Sequence, residues 1–229
     1  MHDILPHITL ETGKSPQHSI IWLHGLGADG EDFVPIAEEM DLPVAVRYLF
    51  PHAPKRPVTI NGGFIMRAWY DIADATIDAQ QDAAGIRAAQ AAIETLIAQE
   101  MQRGNAPENI YLAGFSQGGA IALHTGLRHT QQLGGIIALS TYLLLAETLE
   151  QEASTAAQNI PIFMAHGRSD PVVPYALGKA SAEKLRGLGY QPEWHEYAMP
   201  HSVCMEEVRD VAAWLTHRLK MAQDAGVRS

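Results

Sequence analysis

The 229-residue sequence predicts a single α/β domain, residues 1–229, with a mostly parallel central sheet and helices on both faces. Apolar, strand-length runs alternate with helical patterns along the chain, and no linker rich in Ser, Gly or Pro divides it. Near-continuous apolar strands separated by helices are typical of parallel sheets covered on both faces. A chain of this length buries about 70% of its unfolded surface, so a core can form without a disulfide or a metal.

The strands and helices follow from the spacing of the apolar residues. Short strand-like runs predict strands over residues 18–25, 44–51, 109–115, 134–140, 160–167 and 192–198. Helical patterns predict helices over residues 78–102, after residue 116, over 176–187 and over 203–220. The first of these helices is the clearest, because Ile86, Ile93 and Ile97 recur at helical intervals among alanines.

Residues 52–77 interrupt the alternation of strands and helices. The segment is rich in Pro and Gly and yet carries Phe64, Ile65, Met66 and Trp69. Structureless segments of this length are uncommon in compact domains and often act as lids or binding loops. The composition is compatible with a lid and with a short extra hairpin packed on the sheet, and one segment can be both.

Charge and composition exclude several classes of function. The formal net charge of -10 argues against nucleic acid or an anionic membrane surface as a main partner. The longest apolar run, residues 134–146, is shorter than the roughly 20 residues that span a bilayer, so we expect no stable membrane insertion. The N-terminal residues show no secretory signal pattern. A single cysteine, Cys204, excludes an intramolecular disulfide and favours a reducing, cytoplasmic location.

Ser116 is the first candidate catalytic residue. It is the centre of Gly-Phe-Ser-Gln-Gly at residues 114–118, which fits the G-x-S-x-G turn that exposes a nucleophilic serine between a strand and a helix. Small residues belong two positions before and after the serine, because larger side chains would collide with the turn. An ordinary strand-to-helix turn is the alternative, but the flanking buried-strand and helix patterns favour the catalytic one.

A serine nucleophile needs a base, and the base needs an orienting carboxylate. Asp170 and His201 each follow a predicted strand, and their order after Ser116 is that of catalytic loops in an open parallel sheet. Two other histidines are weaker candidates for the base than His201. His166 precedes Asp170 too closely to be its partner across the fold, and His195 lies within a strand pattern.

Three further residues near His201 are predicted to be structural. Glu206 and Glu207 are expected to be solvated on the first turn of the last helix. Cys204 is expected to pack beside the site and not to act as a nucleophile, because it lies on no sharp turn.

The loop after the first predicted strand supplies candidate donors for an oxyanion hole. Ester hydrolysis passes through a tetrahedral intermediate whose negative oxygen is stabilised by preorganised N–H groups. One donor is predicted at the backbone of Gln117, directly after the serine, and the second at Leu26 within the sequence His-Gly-Leu-Gly at residues 24–27. A phosphate-binding glycine loop is the alternative, but the loop lacks G-x-G-x-x-G and the lysine of a P-loop.

Five segments together resemble one known family. They are IWLHGLGADGEDF (21–33), FPHAPKRPVTINGGFIMRAWYDI (50–72), AGFSQGGAIAL (113–123), HGRSDPVVPY (166–175) and MPHSV (199–203). In this order they are similar to the carboxylesterase and acyl-protein thioesterase family, the phospholipase/carboxylesterase group of the α/β-hydrolases. The similarity spans roughly residues 18 to 220.

The resemblance implies an α/β-hydrolase fold without a large cap domain. It also implies Ser116 as nucleophile, Asp170 and His201 as the rest of a catalytic triad, and the backbone amides of Leu26 and Gln117 as the oxyanion hole. An acyl-binding groove is implied beside Ile65, Met66 and Trp69, and apolar Leu143 and Val172 are further candidates for it. For the leucine run at 143–145, plain core or a dimer interface is the alternative.

The implied function is that of a serine carboxylesterase, a carboxylic ester hydrolase that cleaves short- to medium-chain acyl esters through an acyl-enzyme on Ser116. The alternative is an acyl-protein thioesterase or lysophospholipase that acts on long acyl chains. The substrate is then a small-molecule ester or thioester, or a lipidated protein, and no cofactor or metal is expected. Several members of the family form dimers, which leaves a homodimer open.

Overall fold

The computed structural model describes residues 4–74 and 81–226. Its strands are β1 (His7–Glu11), β2 (His18–Leu23), β3 (Val46–Pro51), β4 (Lys55–Val58), β5 (Phe64–Arg67), β6 (Ile110–Phe115), β7 (Gly135–Leu139), β8 (Ile162–Gly167) and β9 (Pro192–Tyr197). Its helices are α1 (Val34–Glu39), α2 (Ala83–Gln102), α3 (Gln117–Arg128), α4 (Leu149–Glu152), α5 (Tyr175–Gly187) and α6 (Met205–Gly226). None of the helices in these residues is long and apolar enough to cross a bilayer.

Seven strands form the central sheet in the order β1-β3-β2-β6-β7-β8-β9. Every pairing in it is parallel except that of β1 with β3. The predicted mostly parallel α/β fold is therefore confirmed. Because the strands from β2 onward run the same way, the loops that follow them meet at one edge of the sheet.

The sheet separates two apolar cores, as the alternating residues of β2 show. Ile21 and Leu23 face a core that includes residues of α2, α3 and α5, whereas Ile20 and Trp22 face a core that includes α1 and α6. Successive strand residues point to opposite faces, so a strand buried on both sides consists of apolar residues throughout. This explains why the sequence of the inner strands is almost uniformly apolar.

Each predicted strand is present, with ends that differ by no more than two residues. The helix predicted over 78–102 begins later, at Ala83, because the Asp82 side chain accepts a hydrogen bond from Gly85 N–H (2.9 Å) and caps it. Residues 78–80 lie outside the described residues. Strand β1 was not predicted, since it pairs along one edge only and its half-exposed residues lack an apolar run.

The unusual segment at 52–77 contains a two-stranded antiparallel hairpin, β4–β5, as far as residue 74. Gly62 and Gly63 at its tip have φ values of 65° and 78°, which glycine adopts at no steric cost. The hairpin is bound to the loop after β2 through Gly27 N–H, which donates to Arg67 O (2.9 Å). Residues 75–77 lie outside the described residues, and a lid function for the segment stays a prediction.

One expectation for α6 is wrong. Glu206 is exposed as expected, but Glu207 is fully buried under the sheet, and neither of its carboxyl oxygens has a hydrogen-bond partner among the described residues. Residue 207 lies on the helix face that carries Val208 and Val211 into the core, a placement decided by packing. Cys204 is half-buried and packs against the same core.

Candidate active site

Ser116 lies at the turn between β6 and α3 in a strained backbone conformation, with φ 54° and ψ -122°. A positive φ is uncommon for a residue with a side chain and is found where surrounding structure enforces it. Ser116 N–H donates to Leu139 O (2.8 Å), and the Thr141 hydroxyl donates to Ser116 O (2.7 Å). These bonds to the neighbouring strand and its loop hold the turn in place.

The glycines on either side of Ser116 have a steric cause. A Cβ atom on Gly118 would collide with the carbonyl oxygens of Leu23 and His24, and one on Gly114 would collide with the backbone of Gly118. The close approach of α3 to β2 therefore requires glycine at 118, as the turn pattern predicts.

The structure brings Ser116, His201 and Asp170 together. His201 Nε2 lies 2.9 Å from Ser116 Oγ, and His201 Nδ1 lies 2.7 Å from Asp170 Oδ2. With a proton on Nδ1 the imidazole donates to the carboxylate, and its free Nε2 accepts the serine proton. The arrangement is that of a nucleophile, a base and an orienting acid.

The Asp170 carboxylate is held by its own loop. Its Oδ1 accepts hydrogen bonds from the backbone N–H groups of Val172 (2.8 Å) and Val173 (2.9 Å), which leaves Oδ2 for His201. Two donors on one carboxylate oxygen fix the orientation of the carboxylate.

His166 lies too close to Asp170 in sequence to be its partner across the fold, yet it contacts the same carboxylate. Its Nε2 donates to Val173 O (2.9 Å) and lies 3.5 Å from Asp170 Oδ2. Burial lowers the pKa of His166, which keeps the ring neutral. The loop after β8 turns back on the strand, so residues four apart meet. The histidine four positions before the aspartate was the only signal in the sequence.

The backbone donors predicted for the oxyanion hole face no competing acceptor in the described loops. Gly27 N–H and Ala28 N–H are engaged by Arg67 O and Gly25 O, whereas Leu26 N–H and Gln117 N–H donate to no loop or turn acceptor among the described residues. Gln117 is the first residue of α3, where the helix dipole favours negative charge. The two free amides can therefore stabilise an oxyanion beside Ser116.

Three buried side chains connect the segments around these amides. The Gln117 side chain binds the backbone of residues 69 and 70, with Oε1 accepting Trp69 N–H and Nε2 donating to Tyr70 O, each at 2.8 Å. The Trp69 indole N–H donates to His24 O (2.9 Å). His24 Nδ1 lies 2.7 Å from Gly25 O, and its Nε2 accepts Ala53 N–H (3.0 Å). Burial lowers the pKa of His24 to about 4, so its ring is neutral.

The five candidate groove residues do not all line one cavity. Trp69 is only 1% exposed, so its indole belongs to the core and does not form the open wall of a groove. Ile65 and Val172 are exposed, and Met66 is half-buried against the loop of Gly27. An open cavity of about 490 Å³ lies between the loop after β7 and helix α5. Leu143 lines this cavity, and the other four candidate groove residues do not.

Residues 7–219 match the model of a family described as Phospholipase/Carboxylesterase. The chain belongs to this family. Similar family relatives include acyl-protein thioesterase 1 of Gibberella zeae, 40% identical over 89% of this chain and 92% of that protein. The same-named protein of Yarrowia lipolytica is 35% identical over 94% of this chain and 98% of that protein.

Solved structures share the fold of this chain. Arabidopsis thaliana SOBER1 superposes with a TM-score of 0.84 at 31% identity, covering 88% of this chain and 99% of that one. Zea mays acyl-protein thioesterase 2 superposes with a TM-score of 0.81 at 31% identity, covering 93% and 99%. The chain is thus an α/β-hydrolase and a carboxylic ester hydrolase of the serine type, and its substrates are esters or thioesters.

Proposed function

We propose that this protein is an acyl-protein thioesterase, which hydrolyses the thioester between an acyl chain and a protein cysteine with Ser116 as the nucleophile. The hydrogen-bonded sequence Asp170–His201–Ser116, with distances of 2.7 and 2.9 Å, carries the catalytic part of the proposal. Two relatives named acyl-protein thioesterase 1, aligned over 92% and 98% of their lengths, support the substrate class. Of the two functions that the sequence suggests, they favour the thioesterase over the short-chain carboxylesterase.

In the first half of the reaction, Ser116 Oγ attacks the acyl carbonyl carbon while His201 Nε2 takes the serine proton. Asp170 stabilises the imidazolium that forms. The carbonyl oxygen becomes an oxyanion, which accepts hydrogen bonds from Leu26 N–H and Gln117 N–H. When the intermediate collapses, the carbon–sulfur bond breaks and His201 returns the proton to the departing cysteine sulfur.

In the second half, water attacks the acyl-enzyme on Ser116. His201 takes a proton from the water, a second oxyanion forms in the same hole, and the ester bond to Ser116 breaks. The serine oxygen recovers its proton from His201, and a free fatty acid leaves. Protons and bonds balance in each half without a further reactant.

The remaining candidate residues have roles in substrate binding under this proposal. Ile65 and Val172 offer exposed apolar surface, and Met66 lies against Gly27 in the loop of Leu26. These three residues and Leu143 are proposed to contact the acyl chain. The protein part of the substrate lies outside, in solvent. The single cysteine supports a cytoplasmic setting for the reaction.

Comparing thioester with ester substrates tests the function. We expect kcat/KM to be higher on an S-palmitoylated peptide than on a short-chain ester. On p-nitrophenyl esters, kcat/KM should rise about fourfold for each methylene that the site buries, because each buried methylene contributes about 0.8 kcal/mol. Ser116→Ala should abolish both activities and labelling by a fluorophosphonate. The exposed neighbour variant Ser169→Ala is the control and should retain all three.

Two outcomes would contradict the proposal in different ways. Activity of Ser116→Ala within tenfold of the wild type would assign the chemistry to another group. A decline in kcat/KM from acetate onward, with no cleavage of the palmitoylated peptide, would leave a serine esterase and remove the long-chain thioester as substrate.

A further inference from the structure

The two amides of the proposed oxyanion hole belong to different parts of the fold. Leu26 lies in the loop after β2, whereas Gln117 begins α3. An oxyanion is stabilised only when both donors point at one place, and donors off by about an ångström lose much of their effect. The loop of Leu26 contains three glycines, Gly25, Gly27 and Gly30, which restrict the backbone little. Within the loop backbone, the Gly25 carbonyl is held only by a long turn bond from Ala28 N–H (3.3 Å) among the described residues, so the alignment depends on further contacts.

A chain of buried hydrogen bonds connects the two donors. It starts at the Gln117 side chain, which holds the backbone of residues 69 and 70 through two bonds of 2.8 Å. It continues through the Trp69 indole N–H, which donates to His24 O (2.9 Å). All three side chains are at most 2% exposed, so water does not compete for these bonds.

The last step of the chain orients the amide of Leu26 itself. His24 Nδ1 donates to Gly25 O (2.7 Å). The carbonyl of Gly25 and the N–H of Leu26 belong to one planar peptide group and point in opposite directions. Holding Gly25 O towards the His24 ring therefore turns Leu26 N–H away from that ring. The loop passes close to the nucleophile, because a Cβ atom on Gly25 would lie 3.6 Å from Ser116 Cβ.

Three contacts in turn hold His24 in place. Its Nε2 accepts Ala53 N–H (3.0 Å), its ring packs on the Trp69 indole with centroids 5.3 Å apart, and its own carbonyl is held by that indole. The neutral tautomer with a proton on Nδ1 satisfies both ring nitrogens. Removal of the indole N–H would release the carbonyl of His24 and loosen the peptide group that follows.

From these contacts we propose that the Trp69 indole and the Gln117 side chain are positioning residues that align Leu26 N–H with Gln117 N–H. The inference rests on the proposed function, because it gives the alignment a purpose only if both amides bind the oxyanion. Gln117 then has two tasks: its backbone supplies one donor, and its side chain sets the place of the other.

The test compares two tryptophans of the same burial. Trp69→Phe removes an indole N–H that donates to His24 O, whereas Trp22→Phe removes one that has no partner among the described residues. Both indoles are 1% exposed. We expect Trp69→Phe to lower kcat by about 10- to 100-fold with little change in KM, and Trp22→Phe to change kcat less than about twofold.

Gln117→Met provides an independent variant, because it keeps the backbone N–H and removes both side-chain bonds. It should lower kcat in the same way. Gln99→Met should not, because the Oε1 that it removes is buried and has no hydrogen-bond partner in the part of the chain that the structure describes. A trifluoromethyl ketone, which forms an oxyanion on Ser116, should bind to Trp69→Phe and Gln117→Met more weakly by the same factor as kcat falls.

The outcomes separate this proposal from the proposed function. Equal losses in Trp69→Phe and Trp22→Phe, or a rise in KM with unchanged kcat, would overturn the positioning role while Ser116→Ala remains inactive. If Trp69→Phe does not fold, the Gln117→Met and Gln99→Met pair decides alone. Substantial activity in Ser116→Ala would instead overturn the function itself.

Discussion

Glu207 makes the stability of this protein depend on pH. Glu207 lines a small gap in the core together with apolar side chains, those of Trp22, Ile36, Met40, Leu139, Val203 and Val211. Burial raises the pKa of Glu207 from 4.5 to about 8, and the charge of Asp210 acts in the same direction. The folded protein therefore keeps this group protonated at neutral pH, whereas the unfolded chain ionises it.

The sign and size of the effect follow from proton linkage. Below pH 4.5 both states hold the proton, so Glu207 costs no stability there. Between that pH and about 8 only the folded state holds it, so the free energy of unfolding falls by about 1.4 kcal/mol for each pH unit. The loss amounts to about 3 kcal/mol at pH 7 and about 5 kcal/mol once the folded group ionises. Against a typical total of about 5–15 kcal/mol, this is a large fraction.

Glu207→Gln removes the ionisable group and keeps the shape of the side chain. The difference in unfolding free energy between Glu207→Gln and the wild type should rise by about 3 kcal/mol between pH 4.5 and pH 7, and by about 4 kcal/mol between pH 4.5 and pH 8.5. Urea unfolding followed by tryptophan fluorescence at these three pH values measures it. Glu206→Gln, on the exposed side of the same turn, should follow the wild type at every pH. A difference that stays flat within about 1 kcal/mol across the range would refute the burial argument.

Three further predictions concern the site. Asp170→Asn should lower kcat about 10⁴-fold in steady-state assays, because the amide favours the wrong imidazole tautomer, and a loss below tenfold would contradict the role of Asp170. His166→Phe leaves Val173 O without its donor, so urea unfolding should show a free energy of unfolding lower by about 1–3 kcal/mol, together with a reduced kcat. Unchanged stability and activity would show that this contact contributes to neither. Gly118→Ala should yield no folded protein by circular dichroism, because its methyl group would overlap Leu23 O, and a native spectrum would contradict that packing.

Much of the site could be predicted because its signals are local. The turn around Ser116 needs small residues at fixed positions, and parallel strands bring their following loops to one edge of the sheet. Ser116, Asp170 and His201 each follow a strand that is recognisable from its apolar residues, so their proximity follows from topology before any side chain is placed.

Other features depended on contacts between residues far apart in sequence. The exposed composition of β1 does not show that it pairs with β3, and the position of Trp69 in an irregular segment does not show which way its ring points. The contact of His166 with Asp170 depends on how tightly one loop turns.

The sequence by itself determined the alternation of strands and helices, the turn that carries Ser116 and the order of its two partners, because steric and hydrophobic periodicity act over a few residues. Only the tertiary structure decided that Glu207 is buried, and that Trp69 is buried with its indole N–H donating to His24 O. Burial and hydrogen-bond partners of a side chain are properties of the surfaces that fold against it, and those surfaces come from distant segments of the chain.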